Sequence, residues 1–304
     1  MATGTRRTAA PTRKGFHYND KTHVYKLDGE RMTGVTTVLG IAGDKSNLIQ
    51  WAANQAAAMA MLEAESVDRT AFAKDLAGYK KLDTRAATEL GKKYPGFDAS
   101  RKRHMNIRDT AADAGTEAHL ICELFERGDT EALRTGNWTD EGKRRARVYM
   151  DWYNQNVEKT HFVERPLFSK SLFVGGTPDG GMQMKDGRNL INDKKFKDYI
   201  WDPSAFWQMA AYRLMIEEMS QDDTTPVFIE WKDGSTEEFA SPKEYLGTFG
   251  DVKWDGALIV RVGEKDFEEM HAATYEDDRE DFLAALRLYR SLGAFKNRIM
   301  NVAQ

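Results

Sequence analysis

The chain has 304 residues, 41% hydrophobic and 30% charged, with seven Trp and fifteen Phe, enough to bury a real core in one large domain or two small ones. A single cysteine, Cys122, excludes an intramolecular disulfide, a CxxC-type zinc site and a four-cysteine iron–sulfur cluster, which leaves oxygen and imidazole as metal ligands. The net charge of −4 excludes a uniformly basic nucleic-acid binder.

The charge is unevenly spread. Residues 1–14 hold Arg6, Arg7, Arg13 and Lys14 and no acid. Further basic clusters are Arg101-Lys102-Arg103, Lys143-Arg144-Arg145 with Arg147, and Lys194-Lys195 with Lys197, while acids gather between Glu264 and Asp281. Such patches suit DNA contact confined to one face, and equally suit solvated helix faces. No apolar run approaches the ~18–20 residues that span a bilayer. The N-terminus lacks the apolar stretch of a secretory signal, so a soluble, cytoplasmic protein is expected.

Residues 1–14, small and basic with Pro11, read as a flexible tail. His17 to Leu27 alternates and carries aromatics, and Asp28-Gly29 follows, the pattern of a strand and a turn. Met32 to Ile41 is a β-branched run containing Val35-Thr36-Thr37-Val38-Leu39. Ser46 is placed to cap an alanine-rich helix through Trp51 to Glu65, and Tyr94-Pro95-Gly96 breaks the charged stretch 66–100. Ile107, Ala111, Ala114, Ala118, Ile121 and Phe125 recur at three-to-four spacing and predict a helix over Asn106–Arg127, stopped by Gly128-Asp129. A second helix is predicted over Thr139–Asn154, with Val148, Tyr149, Trp152 and Tyr153 as its apolar side.

The period then changes. Phe162–Ser169, Leu172–Met184 and Asn189–Phe196 read as three short strands, with Gly180-Gly181 and Asp186-Gly187 as turns or bulges. Pro203 suits the first turn of a helix reaching Met219. Val227–Trp231 and Ala257–Val262 are two more strands, separated by the turn Asp233-Gly234 and a polar excursion. Glu276–Arg298 is amphipathic, with Phe282, Leu286 and Tyr289 on one side. This order predicts one α/β domain over 15–304: an N-terminal helical elaboration (15–103), a catalytic core (104–232) and a C-terminal strand and helix (233–304).

The chemistry concentrates in Gly175-Gly176-Thr177-Pro178-Asp179 and Leu190-Ile191-Asn192-Asp193-Lys194-Lys195. A spacing of two puts Asp193 and Lys195 on one strand face, and a hairpin brings Asp179 towards them. Two carboxylates can hold a hard cation such as Mg²⁺ or Mn²⁺, which polarises a phosphoryl group and acidifies water. A nearby ammonium orients that water or stabilises developing negative charge. The bland alternatives are a turn aspartate and a solvated strand face. Apolar neighbours such as Ile191 weaken them, because charge in a central strand is costly unless paired or metal-bound.

Pro178-Asp179 with Asp193-Lys194-Lys195 resembles the signature of the PD-(D/E)XK nuclease superfamily. Gln208-Met209-Ala210-Ala211-Tyr212 is similar to the QxxxY motif of its RecB-like branch, and Gly115-Thr116-Glu117-Ala118-His119 resembles that branch's GTxxH helix. The match covers 104–232 well and 16–65 more loosely. It implies a restriction-endonuclease-like core: helix, three strands, helix, strand, with a mixed sheet flanked by helices. It also implies a Mg²⁺ or Mn²⁺ site formed by His119, Asp179, Asp193 and the backbone carbonyl of Lys194. Lys195 would be the catalytic lysine, with Gln208 and Tyr212 positioning DNA or the active-site side chains. The implied role is a cluster-free, phage-type exonuclease in DNA recombination, replication or repair. Such a protein has no membrane partner, works beside a single-strand annealing protein, and leaves a homo-oligomer open. One departure is Phe196, where relatives often carry Thr or Ser after the lysine.

Three further residues stay open. Glu123, four beyond His119, either meets a metal through water or pairs with a basic neighbour. Glu164 either faces the site or, as the reading favours, occupies an exposed strand position. Lys197 either meets phosphate or reaches solvent. Trp201, Phe206 and Trp207 are read as core aromatics rather than base-stacking ones. The rival functions are a structure-specific or restriction-type endonuclease and a catalytically silent DNA-binding protein of the same fold.

Overall fold

A computed structural model describes residues 13–40, 70–71, 74–75, 89–90, 92–97, 115–197, 200, 203–263 and 265–302, with side chains described as far as 293. The chain divides into two compact units, one formed by residues 1–43 and 118–304, the other by 44–117. In the second unit the described pieces are mostly helical, and Tyr94 Oη donates to Asp75 Oδ2 at 2.6 Å. Arg6, Arg7, the Ser46 cap, the Trp51–Glu65 helix, Arg101–Arg103, Ile107, Ala111, Ala114 and Trp201 lie outside the described residues. Among the described residues no helix is long and apolar enough to cross a membrane.

The first unit opens with a hairpin, β1 (Phe16–Asn19) and β2 (Val24–Leu27). Alternation turns Phe16, Tyr18, Tyr25 and Leu27 inward. Asp28 and Gly29 both adopt positive φ and turn the chain into β3 (Glu30–Arg31), followed by β4 (Thr33–Gly34). The β-branched run that follows folds as a helix, α1 (Val35–Leu39). Its buried residues Val35, Val38 and Leu39 are spaced three and one apart, which makes a single face on a helix. Burial of that face outweighs the β preference of its Val and Thr residues.

Residues 118–127 form α2, which buries Ala118, Ile121 and Cys122 and ends at Gly128 with φ 73°. Asp129 caps α3 (Thr130–Thr135), and Thr139 caps α4 (Asp140–Asn156), accepting from Gly142 N at 3.0 Å. The buried side of α4 is Gly142, Ala146, Tyr149 and Trp152.

The predicted three strands are five: β5 (Val157–Val163), β6 (Leu167–Ser169), β7 (Val174–Gly176), β8 (Gly180–Met184) and β9 (Asn189–Lys195). The breaks fall at Glu164–Pro166 and at Thr177–Asp179. Gly180 and Gly181 are strand residues, not turns. They are there because a Cβ on Gly180 would lie 3.0 Å from Phe162 O, and one on Gly181 2.4 Å from the Phe162 ring.

Helix α5 (Ser204–Met219) follows, then β10 (Val227–Glu230), β11 (Thr236–Phe239), α6 (Pro242–Leu246), β12 (Gly256–Val262), β13 (Phe267–His271) and α7 (Tyr275–Val302). Three mixed sheets result: β13-β12-β9-β8-β5, β11-β10-β1-β2-β3 and β4-β7-β6. The strand beside β9 is therefore β12, parallel to it, and lies beyond the 104–232 segment. The Val227 strand pairs instead with β1.

Helices cover both faces of the β9 sheet. Leu190, Met182, Leu258 and Val260 pack into a core with Ala118, Ile121, Cys122, Tyr149 and Trp152 of α2 and α4. Ile191 and Phe162 join the opposite core with Met209, Tyr212 and Met215 of α5 and Phe282 of α7. Consecutive residues of β9 thus enter different cores, as its period of two requires.

Candidate metal centre

Register builds the site. Gly180 of β8 stands opposite Asn192 of β9, and on its other side opposite Val163 of β5. Asp179, one residue earlier, therefore lies between the end of β9 and Glu164. Its Oδ2 accepts from Lys194 N at 2.6 Å, and its carbonyl accepts from Glu164 N at 3.0 Å. Helix α2 brings His119 from the side, with Nε2 2.8 Å from Glu164 Oε1 and 3.6 Å from Asp179 Oδ1. Among the described residues, His119, Glu164 and Asp179 offer three ligand atoms that all lie within 4.8 Å of one another.

Glu164 is the residue that sequence reasoning undervalued. It is not an exposed strand acid: it sits in the bend after β5 with φ 47°, and its side chain is only about a fifth exposed. A left-handed backbone at a non-glycine residue is strained and recurs at functional sites. The signal was the ladder position opposite Asp179, which exists only once β5 and β8 are paired.

Asp193 and Lys195 share a face of β9, as their spacing requires. Lys195 Nζ donates to Asp193 Oδ1 at 2.9 Å and lies 2.7 Å from Oδ2, so the ammonium sits against both carboxylate oxygens. Asp193 stands outside the tight His119–Glu164–Asp179 group, its carboxylate held by Lys195. The two sets still feel each other. Burial and then the Asp179 charge push Asp193 up to about 6, against the pull of Lys195. Burial raises Glu164 to about 7 despite its bond to His119. Burial also works against charging His119, but Asp179 and Glu164 outweigh it and hold the imidazole above its ordinary value. Asp179 is buried too, yet His119, Lys194 and Lys195 hold it below the usual carboxylate range. Lys195 is held above its ordinary value, since Asp193 and Asp179 overcome its burial.

Lys194 points the other way. Its ammonium is fully buried and donates to Glu126 Oε2 of α2 at 2.9 Å. In extended backbone the N–H and carbonyl of one residue face the same neighbour, so the Lys194 carbonyl is directed to the Asp179 side, as its N–H is.

Gln208 and Tyr212 meet on one face of α5, with Gln208 Nε2 donating to Tyr212 Oη at 2.6 Å. Tyr212 is buried against Gly176, where a Cβ would lie 2.5 Å from its ring. Tyr25 Oη and Thr177 Oγ1, 2.9 Å apart, tie the β1–β2 hairpin to the residues before Asp179. Glu123 pairs with Arg127 at 2.8 Å and is not part of the ligand group. Lys197 is exposed, and its N–H donates to Lys195 O at 3.0 Å. Phe196 places its ring edge-on to His119, 6.2 Å between centroids. Phe206 and Trp207 are part-buried on α5, and Trp207 packs against the core beside it. A cleft lined by Ile191, Met209, Arg213, Gly256 and Asp278 contains none of the candidate site residues.

No family model matches this sequence, and no curated protein matches it.

Proposed function

We propose that this chain is a metal-dependent DNA nuclease with a restriction-endonuclease-like core, a RecB-like exonuclease acting on DNA ends in phage recombination, replication or repair. The observation that carries the reading is the convergence of His119, Glu164 and Asp179 within 4.8 Å, with the Asp193–Lys195 pair on the adjoining strand. The order of β5, β8 and β9, then α5, then β12 parallel to β9 supports the same core. DNA as substrate rests on the resemblance of the Pro178-Asp179, Asp193-Lys194-Lys195, Gln208–Tyr212 and Gly115–His119 motifs.

The donor set fits a divalent cation. One imidazole and carboxylate oxygens, with no thiolate nearby, suit Mg²⁺ or Mn²⁺. His119, Asp179, Glu164 and the Lys194 carbonyl would hold the ion, with Asp193 beside them on β9. When bound, the ion supplies Lewis-acid polarisation of the phosphoryl oxygen. The remaining work belongs to side chains. Lys195 holds a positive charge where negative charge develops on phosphorus. The Lys194 amide fixes the orientation of Asp179. Gln208 and Tyr212 keep α5 seated against the residues preceding Asp179.

The test uses end-labelled linear DNA and covalently closed circular DNA with Mg²⁺, Mn²⁺ or EDTA. Loss of the linear substrate alone, abolished by EDTA, is expected. Cutting of the circle would make the chain an endonuclease, and two intact substrates in both metals would end the nuclease reading.

A further inference from the structure

The buried side chains of Lys194, Glu126 and Tyr149 belong to neither the ligand group nor the Asp193–Lys195 pair. Lys194 and Glu126 are 0% and 2% exposed. Tyr149 Oη donates to the second carboxylate oxygen of Glu126, and the Lys194 ammonium lies 5.6 Å from the centroid of the Tyr149 ring. Cys122, Ala146, Val260 and Val262 belong to the same apolar core as Tyr149.

A buried ion pair contributes little net stability, because desolvation of two charges cancels most of their attraction. What such a pair can supply is direction and register. That is needed here, because α2 meets the sheet through Ala118, Ile121 and Cys122, mostly small side chains. Small residues give few ridges to fix the position of a helix along its own axis. Glu126 is seven residues, about two turns, beyond His119, so both lie near one side of α2. At the other end of the bond, Lys194 gives its backbone N–H to Asp179. One residue is thus anchored by its side chain to the helix that carries His119 and by its backbone to the carboxylate that His119 faces.

We propose that Glu126, Lys194 and Tyr149 are positioning residues: a buried ionic clamp that sets α2 against β9 so that His119, Glu164 and Asp179 converge. Their effect on cation binding rests on the metal reading above, and their effect on geometry does not.

The test compares the wild type with Glu126→Leu/Tyr149→Phe/Lys194→Met, which removes every polar group of the cluster at once at similar volume. Thermal melting, Mn²⁺ titration by calorimetry, and crystal structures without metal are measured on both. The expected result is a folded variant of nearly unchanged melting temperature. In it His119 Nε2 has moved out of reach of Asp179 and Glu164, and Mn²⁺ binds about 10–100-fold more weakly. Lys194→Arg keeps the charge, secures a folded protein if the triple variant fails, and is expected to weaken Mn²⁺ binding less. An unmoved His119 in the variant crystals, or wild-type Mn²⁺ affinity in a variant of a protein that binds Mn²⁺, overturns the clamp. If the wild type binds no Mn²⁺ but His119 moves in the variant, the clamp stands and the metal reading falls.

Discussion

Lys194 and Lys195 are adjacent in sequence and meet opposite surroundings on the two faces of β9. Lys194 is sealed between α2 and α4, paired with a carboxylate that is itself buried. Lys195 is 29% exposed and pairs with Asp193 at the open end of the sheet. The first pair has no access to substrate and can act only through geometry. The second keeps a charge within reach of an incoming phosphate. One strand thus carries a structural ion pair and a candidate catalytic one a single residue apart, and the backbone N–H of Lys194 holds Asp179.

The comparison breaks first on the buried face. Glu126→Gln leaves the Lys194 ammonium buried without a counter-charge and is expected to cost about 3–5 kcal/mol in urea unfolding, whereas the all-apolar triple variant costs far less. Equal losses would mean that the pair is an ordinary stabilising contact. On the open face, Lys195→Met is expected to leave the circular-dichroism spectrum unchanged and to lower kcat on linear DNA about 10²–10³-fold. A Lys195→Met enzyme with wild-type turnover would remove Lys195 from the reaction.

A smaller effect is expected where α5 meets the strand before Asp179. Gly176→Ala puts a Cβ against the Tyr212 ring and is expected to cost about 1–3 kcal/mol, read as a lower denaturation midpoint. The smallest is a pH effect. Burial raises Glu164 to about 7, so the folded chain without metal holds that proton more tightly than the unfolded chain does. The stability Glu164 contributes is then fully present below its ordinary carboxylate pKa and lost as pH rises through about 7. In EDTA, the stability of the wild type relative to Glu164→Gln is expected to fall across that window. A difference that grows with pH would mean that Glu164 is a stabilised carboxylate, paired to a cationic His119.

Much of the site was legible because its motifs are local. The Asp193–Lys195 spacing, the Gln208–Tyr212 spacing and the Gly128 stop each depend on the period of one element, and each is present as read. Two differences depended on pairing. Glu164 looked exposed because its strand was run on to Ser169, whereas the chain bends at Glu164 and aligns it with Asp179. The Val227 strand was the next one in sequence after α5, but the edge of β9 was filled by β12 instead. The Val35–Leu39 run is β-branched by residue type, yet its apolar spacing fits one helical face and it folds as a helix. Glu126 carried no signal at all. An acid near the end of a helix reads as a solvated charge until a lysine from another element is buried against it.

By itself, then, the sequence determined which of the candidate residues share a face, because side-chain direction within a helix or strand follows from a fixed local period. Only the tertiary structure decided which acid completes the group around His119 and which lysine is enclosed. Those outcomes depend on strand register and helix placement, set by packing among residues far apart in the chain.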